Sequence, residues 1–358
     1  MTTPAHSLDS APAMADEPPA VSLRQPGELL AAIPHVLGFH PVNSLVVVGL
    51  HGKGNTTLGL VLRVDLPPPV RYDQLARQLV QPLIEQHAVG AALLVLGAHT
   101  VPPEEELPQR SLVAECESVF ANAGIPVLHQ LWAPDTAGGA QWRCYEDADC
   151  TGTVPDPSST ALAAASAAAG MVTYNRREDI TAGLGPAGDD DLARRADLLA
   201  AASQAAEPGG EQAQCLDHLR LLDSAIDRSV SGTLPDTDEE LVALAYALGD
   251  HRVRDACLAP ADEQRAQAAE RLWTTLVRTI PAPERAEPAC LLAYAAYLRG
   301  DGVLAGIALE QAEAADPGHR LADLLRGALW TAFPPERLRT AGEQAAAEAR
   351  RQLTEPPS

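Results

Sequence analysis

Between Pro26 and about Tyr145 the apolar residues alternate between two periods. Leu29, Leu30, Ile33 and Leu37 recur at helical spacing, which predicts a helix over residues 27–37. Two runs rich in β-branched residues follow, at 44–50 and 57–65, and the HGKGN segment between them reads as the turn of a hairpin. The pattern then predicts a helix at 72–87, a buried strand at 91–97, a helix at 108–123, a strand at 126–132 and a short strand at 141–145. Strands separated by helices of this length imply crossover connections, hence a mixed sheet, largely parallel on one side, with flanking helices.

After Pro157 the strand pattern stops. Residues 158–171 form an Ala-rich helical stretch, and helix follows helix to the end, punctuated by Gly and Pro clusters such as 183–188, 232–235 and 281–283. Asp236 with Glu239, or Thr237 with Glu240, has the spacing of a capping box. Leu292, Ala293, Gly300, Ala305, Leu309, Ala312 and Pro317 fall at the spacings of one tetratricopeptide unit, although Ala289 and Ala296 stand where its usual Trp and Tyr would be. Small residues let two antiparallel helices approach, Gly300 opens the turn between them, and Pro317 ends the second. The expected fold class is therefore α/β plus all-α: a tail over 1–21, an α/β domain over 22–157, a helical domain with tetratricopeptide-like packing over 158–351, and a tail over 352–358.

Composition narrows the function classes. The chain has 358 residues, 46% of them hydrophobic, enough for a sizeable core divided between two domains. Its net charge of −22 argues against nucleic acid and anionic membrane, both of which require a basic face. Lys53 is the only lysine among 26 basic residues, which reads as the codon usage of a GC-rich genome. Six cysteines scattered over a long chain do not make a disulfide framework. The first residues, rich in Pro and Ala with Asp9, Asp16 and Glu17, resemble neither a signal peptide nor folded chain, and no run reaches the roughly 20 apolar residues of a membrane span. A cytoplasmic location is the expectation.

Several segments together carry a resemblance: GFHPVNSLVVVGL, LRVDLP, Trp142 to Cys150, YNRRED, LALAYALGDHRVRD and AAYLRGDGVLAGIALEQAEAADPGHRLADLLRGAL. The chain from about Leu23 to Arg339 resembles the actinobacterial domain of unknown function 4192. The resemblance implies an actinobacterial, cytoplasmic protein and brings no activity with it. Members often carry several closely spaced cysteines after the Trp and Tyr, whereas Cys144 and Cys150 are the two present here.

The motifs that suggest chemistry each have a plainer account. GLHGKGNTT at 49–57 looks like a phosphate loop, yet Gly54 follows Lys53 where Ser or Thr must bind magnesium, and a strand follows where a helix is needed. Cys144 and Cys150, beside Glu146, Asp147 and Asp149, could ligate a divalent ion for a hydrolase, but no second Cys or His pair completes four ligands; the plainer reading is an acidic loop with two thiols. No metal and no cofactor is implied. His40, Asn43 and Ser44 lie in the loop entering the first long strand, where they either bind a ligand or cap and turn the chain. Asp65, His99, Thr100, Trp132 and Asp135 lie at or past the carboxyl ends of three strands, the edge at which open α/β sheets bind ligands, provided that antiparallel pairing does not send Asp65 to the other edge. Arg176, Arg177 and Glu178 either clamp an anion or pair with one another. The acidic runs 104–106 and 189–191 stand where helices are expected to start. No triad, catalytic Cys-His pair or dinucleotide fingerprint is visible.

Two functions follow as expectations. The first is a noncatalytic protein-interaction or regulatory protein that binds another protein through its helical half. The alternative is a small-molecule-binding enzyme or sensor whose α/β domain offers His40, Asn43, Ser44, Asp65 and Arg177.

Overall fold

The computed structural model describes residues 9–11, 25–52, 57–97, 102, 105–168, 171–205, 211–260 and 262–354. It divides into two compact units: Met1–Ile180 with Gly300–Val303 and Leu329–Ala332, and Thr181–Arg299 with Leu304–Ala328 and Phe333–Ser358.

The first unit is a seven-stranded mixed sheet with flanking helices. Its strands are β1 (Asp9–Ala11), β2 (Ser44–His51), β3 (Thr57–Asp65), β4 (Gly90–Leu96), β5 (Val127–Ala133), β6 (Gln141–Cys144) and β7 (Thr151–Thr153), in spatial order β1-β3-β2-β4-β5-β6-β7. Helix α1 (Pro26–Leu37) precedes β2, while α2 (Tyr72–Glu85) and α3 (Arg110–Asn122) connect β3 to β4 and β4 to β5. The expected hairpin is present as the β2–β3 ladder from His51↔Thr57 to Ser44↔Asp65; most of its turn, residues 53–56, lies outside the described residues. β1 falls within the stretch expected to be a tail, and β7 is a strand the sequence pattern missed because Thr151–Thr153 is too short to show alternation.

The parallel share of the sheet is smaller than expected. Among the described strands of the sheet, only β4 and β5 pair in parallel; β2 runs antiparallel to both β3 and β4. Since β3 and β4 flank β2 and are both antiparallel to it, β3, β4 and β5 all run the same way. The two connecting helices are thus true crossovers even though one steps over β2.

Side chains alternate between the faces of a strand. Leu45, Val47, Leu62, Val64, Leu93, Val95 and Trp132 share a buried cluster with Leu79 and Leu83 of α2 and Val113 and Phe120 of α3. The opposite face therefore carries Ser44, Val46, Val48, Val61 and Arg63. On that side Gly27 of α1 backs against the last strands: a Cβ there would lie 2.8 Å from the Thr153 carbonyl and 3.1 Å from Trp142 Nε1. After β7 come α4 (Ala161–Ala168) and α5 (Arg177–Gly183).

The second unit is helical, with α6 (Asp189–Gln204), α7 (Glu211–Val230), α8 (Asp238–Leu248), α9 (His251–Ala256), α10 (Glu263–Thr279), α11 (Ala286–Arg299), most of α12 (Gly302–Ala315) and α13 (Arg320–Trp330), and α14 (Pro335–Thr354); Gly302–Val303 of α12 and Leu329–Trp330 of α13 are grouped with the first unit. Asp189, Asp190 and Asp191 occupy the first turn of α6, where the helix dipole favours them. Of the two candidate capping pairs, Thr237 caps α8, its side chain accepting from the Glu240 amide. Gly300 joins α11 to α12 at φ 94°, a conformation a side chain would resist. None of the described helices is long and apolar enough to cross a membrane.

Candidate functional site

One edge of the sheet gathers most of the predicted site. Ser44 opens β2 and pairs in register with Asp65, the last residue of β3, and with Leu96, the last of β4; Leu96 pairs in turn with Ala133, the last of β5. Because β3 runs with β4 and β5, Asp65 stays on the edge where those strands end. The loop that enters β2 arrives at the same edge and is held from two sides. On one, Phe39 bridges Tyr174, the His40 amide donates to the Tyr174 carbonyl at 3.1 Å, and the Tyr174 amide donates to the Gly38 carbonyl at 2.7 Å. On the other, the Leu66 amide donates to the Asn43 carbonyl at 3.1 Å, with Asn43 itself in the left-handed region at φ 46°.

The polar groups at this edge engage one another. The Ser44 side chain is wholly buried; its hydroxyl donates to the Val42 carbonyl at 2.7 Å and accepts from Arg63 Nε at 2.8 Å. Arg63 Nη2 pairs with Asp65 Oδ1 at 2.6 Å, and its guanidinium lies 5.9 Å from the centre of the Phe39 ring. Asp65 is 52% exposed, so one end of this chain meets solvent and the other is sealed. His40 Nδ1 and the buried Thr136 hydroxyl are 2.8 Å apart. Burial first, and then His35, lower the His40 pKa below the ordinary imidazole value against the opposing pull of Asp135. Asp135 itself accepts from the Ala137 amide, closing a turn.

Ser44, Asp65 and His40 thus come to one edge, while Asn43 contributes its backbone there. Trp132 does not line the edge: it points into the opposite core, 2% exposed. Arg177 begins α5, and none of the contacts described above reaches it. His99 and Thr100 lie outside the described residues. Sequence reasoning missed Arg63, His35 and Thr136. Arg63 carried a legible signal as the one charged residue inside the otherwise apolar run of β3. His35 did not: it sits within α1, and only folding brings its Nδ1 to the Thr173 hydroxyl at 3.0 Å and its Nε2 to the Pro157 carbonyl at 2.9 Å.

The helical unit assembles a second constellation that no spacing announced. Cys290 Sγ lies 3.4 Å from His319 Nδ1, and His319 Nε2 lies 3.2 Å from Glu287 Oε1, the order of a thiol-imidazole-carboxylate triad. His319 Nδ1 also accepts the Ala322 amide at the start of α13, which leaves Nε2 to carry the proton donated to Glu287. Burial opposes ionisation of Glu287, yet His319 and Arg254, whose Nη1 is 3.0 Å away, hold its carboxyl below the usual range. The nucleophile is another matter. Cys290 is fully buried, and burial, followed by Glu287, pushes its thiol up to about 12. A thiol so placed stays protonated and unreachable, so this chain of groups ties α11 to the start of α13.

Cys144 and Cys150 stand opposite each other where β6 and β7 diverge, the Cys144 amide donating to the Cys150 carbonyl at 3.0 Å. Burial first, and then the Cys144 thiol, push the Cys150 thiol up. Among the described residues no group of three or more His, Cys, Asp and Glu is placed to hold a metal ion.

No curated protein and no solved structure matches the chain. A family model does, over residues 26–336, from the start of α1 into α14 and so across the sheet edge and the buried Cys290 network alike; the chain belongs to the family described as a domain of unknown function, DUF4192.

Proposed function

We propose that this is a noncatalytic protein-interaction or regulatory protein whose helical unit engages another protein. The observation that carries the reading is the mutual engagement of the groups that could have done chemistry. The Ser44 hydroxyl uses both its donor and its acceptor within the fold, and Arg63 is held between Ser44 and Asp65. The tetratricopeptide-like pairing of α11 and α12 belongs to this proposal and is supported by the left-handed Gly300 and by buried small residues at Ala289, Ala293, Ala305 and Ala312. Leu324 on α13, 71% exposed, is the apolar group through which we expect a partner to be held. Six free thiols agree with a reducing compartment such as an actinobacterial cytoplasm, and the net charge of −22 disfavours polyanionic partners. The test is crosslinking mass spectrometry on the full chain purified from its native host. Crosslinks to one partner within residues 236–339, lost in Leu324→Glu with unchanged circular dichroism, support the reading. Crosslinks confined to residues before 181, or unaffected by that substitution, overturn it.

A second reading has one observation in its favour, the convergence of His40, Ser44 and Asp65 on a single sheet edge with the Asp65 carboxylate half exposed. It makes the α/β unit a small-molecule enzyme or sensor, with Asn43 and Arg177 as further contacts. Alanine at His40 and at Asp65 would then abolish binding of a co-purifying small molecule while leaving the fold intact; variants that merely unfold mark these residues as structural.

A further inference from the structure

The helical unit contains a cleft of about 440 Å³ among α10, α11, α14 and the α9–α10 connection. That volume is within the range of small-molecule sites. Its floor is apolar and aromatic, including Leu258, Trp273, Leu291 and Tyr294, with Trp273 only 2% and Tyr294 only 5% exposed. Its rim is charged, and the charges do not balance: Asp262, Glu263, Glu270 and Glu343 face Arg299 and Arg339. Arg299 Nη2 is paired with Glu270 Oε1 at 2.9 Å, which takes one charge of each sign out of the balance and leaves Asp262, Glu263 and Glu343 against Arg339.

Two details show that the cleft is shaped by more than loose packing. The Tyr294 hydroxyl is buried with no hydrogen-bond partner among the described residues, which is costly for a polar group and rare in folded proteins. Burial pushes it up to about 12, so it remains a protonated phenol. The ring reaches its position only because residue 342 has no side chain; a Cβ at Gly342 would stand 1.9 Å from the Tyr294 oxygen. α14 thus presents a glycine where the aromatic wall needs room and places Arg339 and Glu343 on the rim to either side in sequence.

We infer that this cleft binds a small aromatic or alicyclic organic cation, an amine with an apolar body. Burial of the body against Leu258, Leu291 and the two rings supplies affinity. Trp273 and Tyr294, almost wholly buried, close the floor of the cleft to water. The excess of rim carboxylates, in a chain of net charge −22, selects an ammonium over a carboxylate. The inference goes beyond the interaction reading and stands without it, since no partner protein enters the argument.

The test uses the full chain and two flat probes of similar size and opposite charge, 1-naphthylmethylamine and 1-naphthoate, titrated by calorimetry at pH 7 and low salt. The amine is expected to bind at least about tenfold more tightly than the carboxylate, the equivalent of about 1.4 kcal/mol. Ala295→Trp, which fills the cleft, is expected to abolish binding. Glu343→Gln, on the exposed rim where folding is not at stake, is expected to weaken the amine about threefold and leave the carboxylate unchanged or improved. Equal binding of the two probes, tighter binding of the carboxylate, no binding of the amine, or amine affinity unchanged in Glu343→Gln would each overturn the proposal, and the last decides the matter even if Ala295→Trp fails to fold.

Discussion

Ser44→Ala puts the reading of the sheet edge at risk. The wild-type hydroxyl satisfies two groups, the Val42 carbonyl and the Arg63 Nε, and Ser44 is fully buried at the start of a strand paired on both sides. Removing it takes the Ser44 acceptor away from Arg63 Nε in a buried site, at a cost of about 1–3 kcal/mol, while the carbonyl of the half-exposed Val42 can recruit solvent and adds less than about 1. A loss of about 2–3 kcal/mol is expected. For a unit of this size, with a urea m-value of about 2 kcal/mol/M, that moves the midpoint down by about 1–1.5 M. The assay is tryptophan fluorescence in a Trp273→Phe background, which leaves only Trp132, Trp142 and Trp330, all grouped with the first unit. An Arg63→Met partner completes a double-mutant cycle. With the guanidinium gone, Ser44→Ala should cost less than about 1 kcal/mol, giving a coupling of at least about 1 kcal/mol. A single-mutant loss below about 0.5 kcal/mol, or additivity in the cycle, would mean that the hydroxyl does no structural work, and the small-molecule reading of the edge would gain accordingly.

Glu287→Gln tests the buried network of the helical unit. Its carboxyl is held below the unfolded value of about 4.3, so its contribution is fully present above that pH and is lost as pH falls through the lower folded value; the variant should be less stable near neutrality by on the order of 3 kcal/mol and show a flatter acid limb between about pH 5 and 3. Asp250, held low by Arg252 and Cys215 against its own burial, keeps part of that slope in the variant. Thiol titration with a chromogenic disulfide in native buffer should modify Cys144 and Cys150 and spare Cys116, Cys215, Cys257 and Cys290 until denaturant is added; rapid labelling of Cys290 would contradict its burial and revive a nucleophilic role. Gly152→Ala should destabilise the first unit by about 1–3 kcal/mol in the same urea assay, because the new Cβ would lie 2.8 Å from the Trp142 ring.

The sheet-edge site was half legible because its residues are of two kinds. His40, Asn43, Ser44 and Asp65 lie where a strand begins or ends, and strand ends are visible as breaks in alternation. Arg63 interrupts an apolar run and could have been read from the same pattern. Thr136, His35 and the Cys290–His319–Glu287 chain could not, since each contact joins residues from separate elements and no local period records which loops will meet.

Local periodicity alone determined where most elements lie, that the chain passes from mixed sheet to helices, and that β2 and β3 form a hairpin, because periods of 2.0 and 3.6 are written by the faces each segment must bury. Tertiary structure decided the rest. Whether β4 pairs parallel or antiparallel to β2 changes neither strand's sequence pattern, since both are buried on two faces, yet that choice alone brings the end of β3 to the edge where β4 and β5 end. The cleft beside Trp273 is likewise invisible in sequence: it exists because α10, α11 and α14 pack around a tyrosine that fits only against a glycine on another helix.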